Sequence, residues 1–511
     1  MNSATFQHTW DSAVRRHTDS PFLVFRAESG EASEWTYGEF DAVVARTAGG
    51  LRAAGVSPGS AVHVALRNCP AFVALWLAAS RLGACLVPVD PASSPRDIAR
   101  QVRRVRPAVG VCASAREAVY HEGVSTRVPA VLALAEDARD VNGAETPLFC
   151  TERVEKGERV QPDDRLAVMF TSGTTSEPKG VVLTQANYAH VATVMAKVAR
   201  LRPHHRWHVA LPLFHANAQY YCFAPAIAVG ASVALSSAFS ASGWVPHARE
   251  LGVTHASLFA APIRMILART ASEEPPLQLE HVWFAQSLGA EHYERFARLA
   301  GTRPRQLYGM TETVAIVSAD SGAHPVHDVI GTPVAGRRIR VTDPANGNAA
   351  APGATGELHV LGTPGRDLFV GYLDDEETTA RAFSTGPEGT WFATGDLVSR
   401  GVDGVLRFTG RVDDVIKVSG ENVSLTEVEA AVAQAPGVLE AAVVGVSDPL
   451  RDTVPVAYVV ARDPNEPPHA EDLDEWAVRN LAPAARPRAW HLIDELPRTS
   501  VGKVRRFRVG N

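Results

Sequence analysis

The sequence predicts an α/β protein built on parallel, doubly wound sheets and divided into two or more domains. Three observations carry that prediction. The chain has 511 residues, too many for one compact core. Helical and extended patterns alternate from Tyr37 to about residue 115 and again over 205–300, as crossover βαβ units require. Between about 330 and 410 the spacing shortens to strands and turns, which reads as a small β unit.

The elements follow in order. "YGEFDAVVARTAGGLRAAGV" has helical spacing and ends at Gly55, and "SAVHVAL" reads as a strand. "AFVALWLAASRLG" is a helix with Gly83 beyond it, and "ACLVPVD" is the next strand. "SPRDIARQVRRVRP" is a helix opened by Ser94-Pro95 and stopped before Pro107, its arginines on a solvated face. "AVGVCA" closes this run as a strand. Residues 135–165 are polar and irregular, a loop. The alternation resumes with "WHVALPLFH", "YYCFAPAIAVG", "SVALSS", "WVPHARELGV", "HASLF", "APIRMILART" and "HVWFAQS". "RRIRVTD", "GELHVLG" and "GVLRFTG" supply the β unit, and a mixed segment follows Arg411.

Composition excludes several classes. Apolar residues make up 46% and charged residues 21%, with 50 basic against 56 acidic side chains, so no nucleic-acid footprint is expected. Five scattered cysteines, never spaced C-x-x-C, argue against a disulfide framework or a thiolate metal site and fit a reducing cytoplasm. The N-terminus lacks the apolar core of a signal peptide. The longest apolar stretch, Ala71–Ala79, is too short to span a membrane and reads as a buried helix. No membrane insertion is expected.

One loop stands apart. "TSGTTSEPKG" (171–180) joins two apolar runs, Leu166–Phe170 and Val181–Leu183. A surface turn would account for it. So would a phosphate clasp, in which backbone N–H groups at Gly173 and Gly180, hydroxyls and the Lys179 ammonium meet a polyphosphate. It is not a Walker loop, because Pro178 precedes the lysine and Gly180 follows it. Four further stretches bear on the choice: "QLYGMTET" (306–313), "WFATGDL" (391–397), "FTGRVDDVIKVSGENV" (408–423) and "LPRTSVGKVRRFR" (496–508). Singly, each has an ordinary reading as a turn, a cap, a surface ion pair or a basic tail.

In this order the five motifs resemble the adenylate-forming (AMP-binding, acyl-CoA synthetase) superfamily over nearly the whole chain. They are most similar to acid–CoA ligases of the crotonobetaine/carnitine-CoA ligase type. The resemblance implies a large N-terminal part, residues 1–410, of two doubly wound sheets plus a small β-barrel. It implies a small mobile α+β C-terminal domain, 411–511, with a hinge near 411–413 at Asp413. It further implies two half-reactions, in which a carboxylate attacks the α-phosphate of ATP and CoA then displaces AMP, with Mg²⁺ as cofactor.

Roles follow from the same resemblance. Thr171, Ser172, Gly173, Thr174, Thr175 and Lys179 would hold the β- and γ-phosphates. Thr311 would bond the α-phosphate, and Glu312 would bind Mg²⁺ through hard carboxylate oxygens. Tyr308 and Ser287 would meet adenine, Asp396 the ribose hydroxyls, and Arg411 ribose or phosphate. Lys503 would bridge the two anions that must meet during adenylation. Ser419, Gly420 and Asn422 would line the path of CoA once the domain has turned.

His215, Asn217, Gln219, Tyr220 and Gln286 are the expected acid pocket. The family usually shows a Gly-Gly-Ala-Pro-like run where this chain has Ala285-Gln286-Ser287-Leu288-Gly289-Ala290. Gln286 narrows that pocket and adds an amide, so a short polar or aromatic acid is expected over a long fatty chain. "RPHHRWH" (202–208) reads as a polar loop, since its spacing suits no common metal site. Three alternatives stay open beside the acid–CoA ligase: loading of a carrier protein, activation of an unusual acid such as nitrite toward an aryl amine, and a silent nucleotide binder. A homodimer is also left open.

Overall fold

The computed structural model describes residues 4–510 apart from 144–145, 151, 156, 158, 172–177, 345, 419–420, 449–451, 499–503 and 505. At 422, 452 and 507 it describes the backbone. Within these residues a seven-stranded sheet runs Gly371–Tyr372, Lys179–Thr184, Arg165–Thr171, Cys85–Pro88, Ala61–Ala65, Val109–Ala113 and Ala130–Leu134 in spatial order. Its last five strands are parallel, and the pair Arg165–Thr171/Lys179–Thr184 is an antiparallel hairpin.

A nine-stranded sheet carries Thr332–Pro333, Ser318–Ala319, Arg305–Tyr308, His281–Ala285, His255–Phe259, Arg206–Val209, Ser232–Ser236, Pro21–Arg26 and Ala32–Thr36. The crossovers between its parallel strands include Trp244–Glu250 and Ala260–Arg269, within stretches that the alternation marks, and Ala290–Ala300, which it does not single out. The N-terminal hairpin Pro21–Arg26/Ala32–Thr36 joins this sheet against Ser232–Ser236. That pairing spans some two hundred residues, and no local pattern announces it.

The helix Pro70–Arg81 has every residue buried, as a helix apolar on all faces must. Its closing Arg81 is compensated by the Asp41 carboxylate and by the Val154 carbonyl at 3.2 Å. One apolar core joins this helix to both sheets, through Val62, Leu86 and Leu166 on one side and Leu23, Trp207 and Val233 on the other. The Tyr37 hydroxyl, fully buried, donates toward the Ala231 carbonyl at 2.7 Å and ties the helix Tyr37–Ala53 to the strand entry at Ser232.

The β unit is a five-stranded antiparallel sheet, Arg338–Thr342, Thr355–Gly362, Gly389–Arg400 and Phe383–Gly386, with Leu406–Arg411 paired to Gly389–Arg400. After the turn Val412–Asp414 a further five-stranded sheet forms from Glu421–Ser424, Val415–Val418, Asp452–Ala461, Val438–Asp448 and Trp490–Leu492. It packs on Leu425–Val432 and Ala470–Asn480 around its own apolar core. The described residues between 135 and 164 contain a short helix, Arg139–Asn142, and are otherwise irregular. All five cysteines are free, and no described helix is long and apolar enough to cross a membrane.

Candidate active site

Strands of three sheets contribute to one group of side chains. Antiparallel register sets Asp396 directly across from Arg411, so side-chain direction alone brings the carboxylate and guanidinium together. Arg411 Nη1 donates to Asp396 Oδ1 at 2.6 Å. The other oxygen, Oδ2, accepts from the Tyr308 hydroxyl at 2.6 Å. Tyr308 ends the strand Arg305–Tyr308 of the nine-stranded sheet. The residues expected at adenine and at ribose are therefore bonded to each other. Burial, then the Asp396 charge, pushes the Tyr308 phenol far above its ordinary range, so it stays a donor. Burial, the largest effect, would lower Arg411, but Asp396, Tyr308, Asp413 and Asp414 together outweigh it and hold the guanidinium charged.

Beyond Tyr308 the chain makes a tight turn. Gly309 permits it: a Cβ there would stand 3.0 Å from Tyr221 Oη and 3.1 Å from Ile316 Cα. Thr311–Thr313 form a 3-10 turn that buries Glu312. The next residue, Val314, is fully buried with φ 63° and ψ −77°, a conformation a β-branched residue adopts at a cost of about 1–3 kcal/mol. The Glu312 carbonyl accepts from Phe369 N at 2.9 Å, and its carboxylate Oε1 accepts from the Tyr372 hydroxyl at 3.2 Å. Burial pushes the Glu312 carboxyl above the usual carboxylate range. A bond from its own backbone N–H, then the Tyr372 hydroxyl and the Arg411 charge, pull it back, and Asp396 adds to the rise. Asp396 and Arg411 thus act on Glu312 within one electrostatic site.

Lys179 completes the group. Thr171 and Lys179 are paired across the antiparallel hairpin, and Lys179 Nζ lies 5.2 Å from the Tyr372 ring centroid. Tyr372 thereby stands between the hairpin lysine, which faces its ring, and the buried carboxylate, which accepts from its hydroxyl. Ser172, Gly173, Thr174, Thr175, Ser419, Gly420 and Lys503 lie outside the described residues. Of Asn422 only the backbone is described, in the strand Glu421–Ser424. Asp413 is exposed in the turn Val412–Asp414 between the β unit and the last sheet.

The chain matches the AMP-binding enzyme family over residues 10–373 and the AMP-binding enzyme C-terminal domain over residues 427–503. The chain belongs to the AMP-binding enzyme family. It is 28% identical over 507 residues to a crotonobetaine/carnitine–CoA ligase of Salmonella arizonae, covering 97% of this chain and 96% of that one. The like-named enzyme of Proteus mirabilis is also 28% identical, over 505 residues, with the same coverage of each chain. Among solved structures, an anthranilate CoA ligase in complex with anthranoyl-AMP superposes with TM-score 0.87 at 21% identity, covering 100% of this chain and 97% of that one. A benzoate CoA ligase from Burkholderia xenovorans LB400 gives TM-score 0.85 at 24% identity, with 99% and 100% covered. These likenesses show the fold common to adenylate-forming enzymes.

Within this family member the expected acid pocket is unevenly available. Asn217–Phe223 form a buried π-helix, a form that recurs at functional sites. Gln219 is engaged at both ends of its amide: Oε1 accepts from Tyr188 Oη at 2.7 Å, and Nε2 donates to the Leu213 carbonyl at 2.7 Å. It braces the π-helix and is not free to greet a substrate. Asn217 Nδ2 donates to Ser257 Oγ at 2.9 Å, whereas Asn217 Oδ1 and the Tyr220 hydroxyl are buried with no partner among the described residues. Gln286 takes φ 74°, and its carbonyl accepts from Gln306 Nε2 at 3.2 Å. Ser287 is exposed, its carbonyl facing Arg264. His215 packs 4.5 Å from Phe214.

The sequence reading overlooked Tyr372 and Arg337. Tyr372 lies in "LFVGYL", an aromatic after a glycine, and only the pairing Tyr372↔Val181 brings it to the site. The histidine-rich loop also gains an acid from afar, since His204, His205 and Glu280 carry ligand atoms within 4.8 Å of one another. His205 Nδ1 accepts from Arg202 N at 3.0 Å, and its Nε2 lies 3.2 Å from Glu280 Oε2. With Nδ1 occupied as acceptor, Nε2 carries the proton given to Glu280, leaving no lone pair for a metal. The loop stays a polar one.

Proposed function

We propose that this chain is an ATP-dependent, AMP-forming acid–CoA ligase that activates a short polar or aromatic carboxylic acid. The observation that carries the proposal is the single site formed by Lys179, Tyr308, Glu312, Tyr372, Asp396 and Arg411, drawn from three sheets. In the first step an acid oxygen attacks the α-phosphorus, the bond to the β-phosphate oxygen breaks, and pyrophosphate leaves. In the second the CoA thiolate attacks the acyl carbon and AMP departs. Lys179 and the hydroxyls of the 171–175 loop would neutralise the leaving pyrophosphate. Thr311 would donate to the α-phosphate, and Asp396 would accept from ribose hydroxyls.

Glu312 fits a magnesium ion. It is a hard oxygen donor whose buried carboxyl is pushed toward protonation, and a bound divalent cation would restore its charged form. The ion would supply charge neutralisation on the phosphate oxygens. Lys503, on the segment after residue 427 matched by the C-terminal domain, would offset the repulsion between acid and α-phosphate. The chain would divide between residues 410 and 411, with the hinge at Asp413. The turn Val412–Asp414 between two separately cored sheets supports that division.

Pocket chemistry supports a polar substituent on the acid. A long alkyl chain would leave Asn217 Oδ1 and the Tyr220 hydroxyl unpaired, at about 1–3 kcal/mol each. Crotonobetaine and carnitine, the substrates in the relatives' names, are less well served. "FHANAQ" offers no carboxylate for a trimethylammonium group.

The test is pyrophosphate release with ATP and a panel of acids, with and without CoA. CoA-stimulated release with a thioester seen by mass spectrometry is the expected outcome. Release that needs a carrier protein, or nitrite plus an aryl amine, would replace the acceptor or the acid class. No release with any acid would leave a silent binder. Lys503→Ala should abolish adenylate formation yet preserve thioester formation from supplied acyl-adenylate. Equal loss of both steps would refute alternation about the hinge.

A further inference from the structure

Arg337 precedes the strand Arg338–Thr342, far in sequence from the motifs, and its side chain is 4% exposed. Among the described residues its guanidinium forms no compact ion pair, since the one carboxylate bonded to it there, that of Asp367, stands at 3.5 Å. It is spent instead on backbone carbonyls. Nη2 donates to the Thr313 carbonyl and approaches that of Ala315 at 3.4 Å, Nε approaches Ile316 O at 3.5 Å, and Nη1 donates to Asp367 O at 2.8 Å. A desolvated cation surrounded mainly by carbonyl oxygens is costly to keep, so its position calls for a reason.

The carbonyls supply one. Thr313 and Ala315 flank Val314, the buried β-branched residue at φ 63°, and both face the same guanidinium. Strained backbone of this kind persists only where its surroundings over-determine it. On the other side, Asp367 lies two residues before Phe369, whose N–H holds the Glu312 carbonyl. The same loop is pinned from behind by Asn187 Nδ2, which donates to Arg366 O at 2.7 Å and Leu368 O at 2.9 Å. One planar fork therefore fixes both strips of backbone that frame Glu312. A lysine has the charge but not the fork, and cannot reach three separated carbonyl directions at once.

We infer that Arg337 is a positioning residue, holding the strained Val314 turn so that Thr311 and Glu312 face the nucleotide phosphates. The inference rests on the proposed role of Glu312 in binding MgATP. Arg337 touches no substrate; it acts through the backbone.

The experiment compares purified Arg337→Lys, Asp367→Asn and Glu312→Gln in acid-dependent ATP–pyrophosphate exchange, well below their melting temperatures, with MgATP varied. Arg337→Lys should lower kcat and raise the KM for MgATP, together costing about 10- to 100-fold in kcat/KM. Asp367→Asn, which weakens one arm of the fork, should move both constants the same way by about 3- to 10-fold. A purely structural arginine would lower the melting temperature while leaving kcat and KM per folded site at wild-type values, and that result overturns the inference. Should Arg337→Lys fail to fold, Asp367→Asn decides alone, and unchanged constants there overturn it equally. Wild-type exchange in Glu312→Gln would instead refute the underlying reading of Glu312, whatever the arginine variant does.

Discussion

Asp396 and Glu312 are both buried carboxylates of one site, at 5% exposure each, yet their surroundings differ. Asp396 is closed: one oxygen takes the Arg411 guanidinium, the other the Tyr308 hydroxyl, each at 2.6 Å. Glu312 has a bond from its own backbone N–H and a longer one, at 3.2 Å from Tyr372, with no directly bonded cation among the described residues, and burial drives its carboxyl upward. Asp396 is built into the fold as half of a cross-strand pair. Glu312 is an anion kept at a loss within the protein, as a group awaiting a cation or a phosphate-bound metal would be. The difference teaches that the fold compensates the charge of one carboxylate more fully than that of the other.

The largest effect follows from that contrast. Glu312→Gln should cut the adenylation rate by about 10²–10³-fold, the scale for losing one directed electrostatic contact to the reacting phosphate, with melting temperature kept or raised. ATP–pyrophosphate exchange alongside calorimetry checks both halves. A variant that loses stability and keeps its rate would reverse the assignment of the two carboxylates.

How much of this was legible beforehand divides along the same line. The Asp396–Arg411 pair falls within two motifs, "WFATGDL" and "FTGRVDD", and strand register places them opposite each other. Helices such as Tyr37–Ala53, Pro70–Arg81 and Pro95–Val105 followed from periodicity because apolar spacing is a local property, whereas Glu117–Val124 and Ala290–Ala300 were not singled out. Tyr372, Arg337 and the N-terminal hairpin were not legible. Each owes its place to pairing with a strand or turn more than twenty residues away, as in Tyr372↔Val181, and no window of sequence contains that information. Gln219 was read as part of the acid pocket from its neighbourhood in the chain. Its amide turned out to be used at both ends by Tyr188 and Leu213, contacts that only tertiary structure supplies.

Asp396→Ala should separate the carboxylates by stability. It strands the Arg411 guanidinium and the Tyr308 hydroxyl, and should lower stability by about 1–3 kcal/mol in urea unfolding. That lies below the cost for a fully buried pair because Arg411 keeps 35% of its side chain in solvent. The KM for ATP should rise as well. If Asp396→Ala proves as stable as wild type, the closed network contributes nothing to the fold and the contrast collapses. Tyr308→Phe is the gentler version. It removes one donor and leaves the ion pair, so a loss of about 1 kcal/mol and an increase of about fivefold in KM are expected.

The smallest effect is also the most discriminating, because it concerns Glu312 without substrates. Its folded pKa is raised by burial above the ordinary 4.5. The folded state therefore binds more protons than the unfolded chain between that value and the raised one. Stability of the wild type must fall as pH rises through this window, relative to a variant that cannot ionise there. Thermal unfolding of wild type and Glu312→Gln should coincide near pH 4.5, with the variant gaining as pH climbs to 7 or 8. Saturating MgATP should then erase or invert the gap, since a ligand that engages the ionised carboxylate stabilises the wild type selectively. A gap that ignores both pH and MgATP would mean that Glu312 is already compensated within the protein, and the asymmetry between the two carboxylates would have to be abandoned.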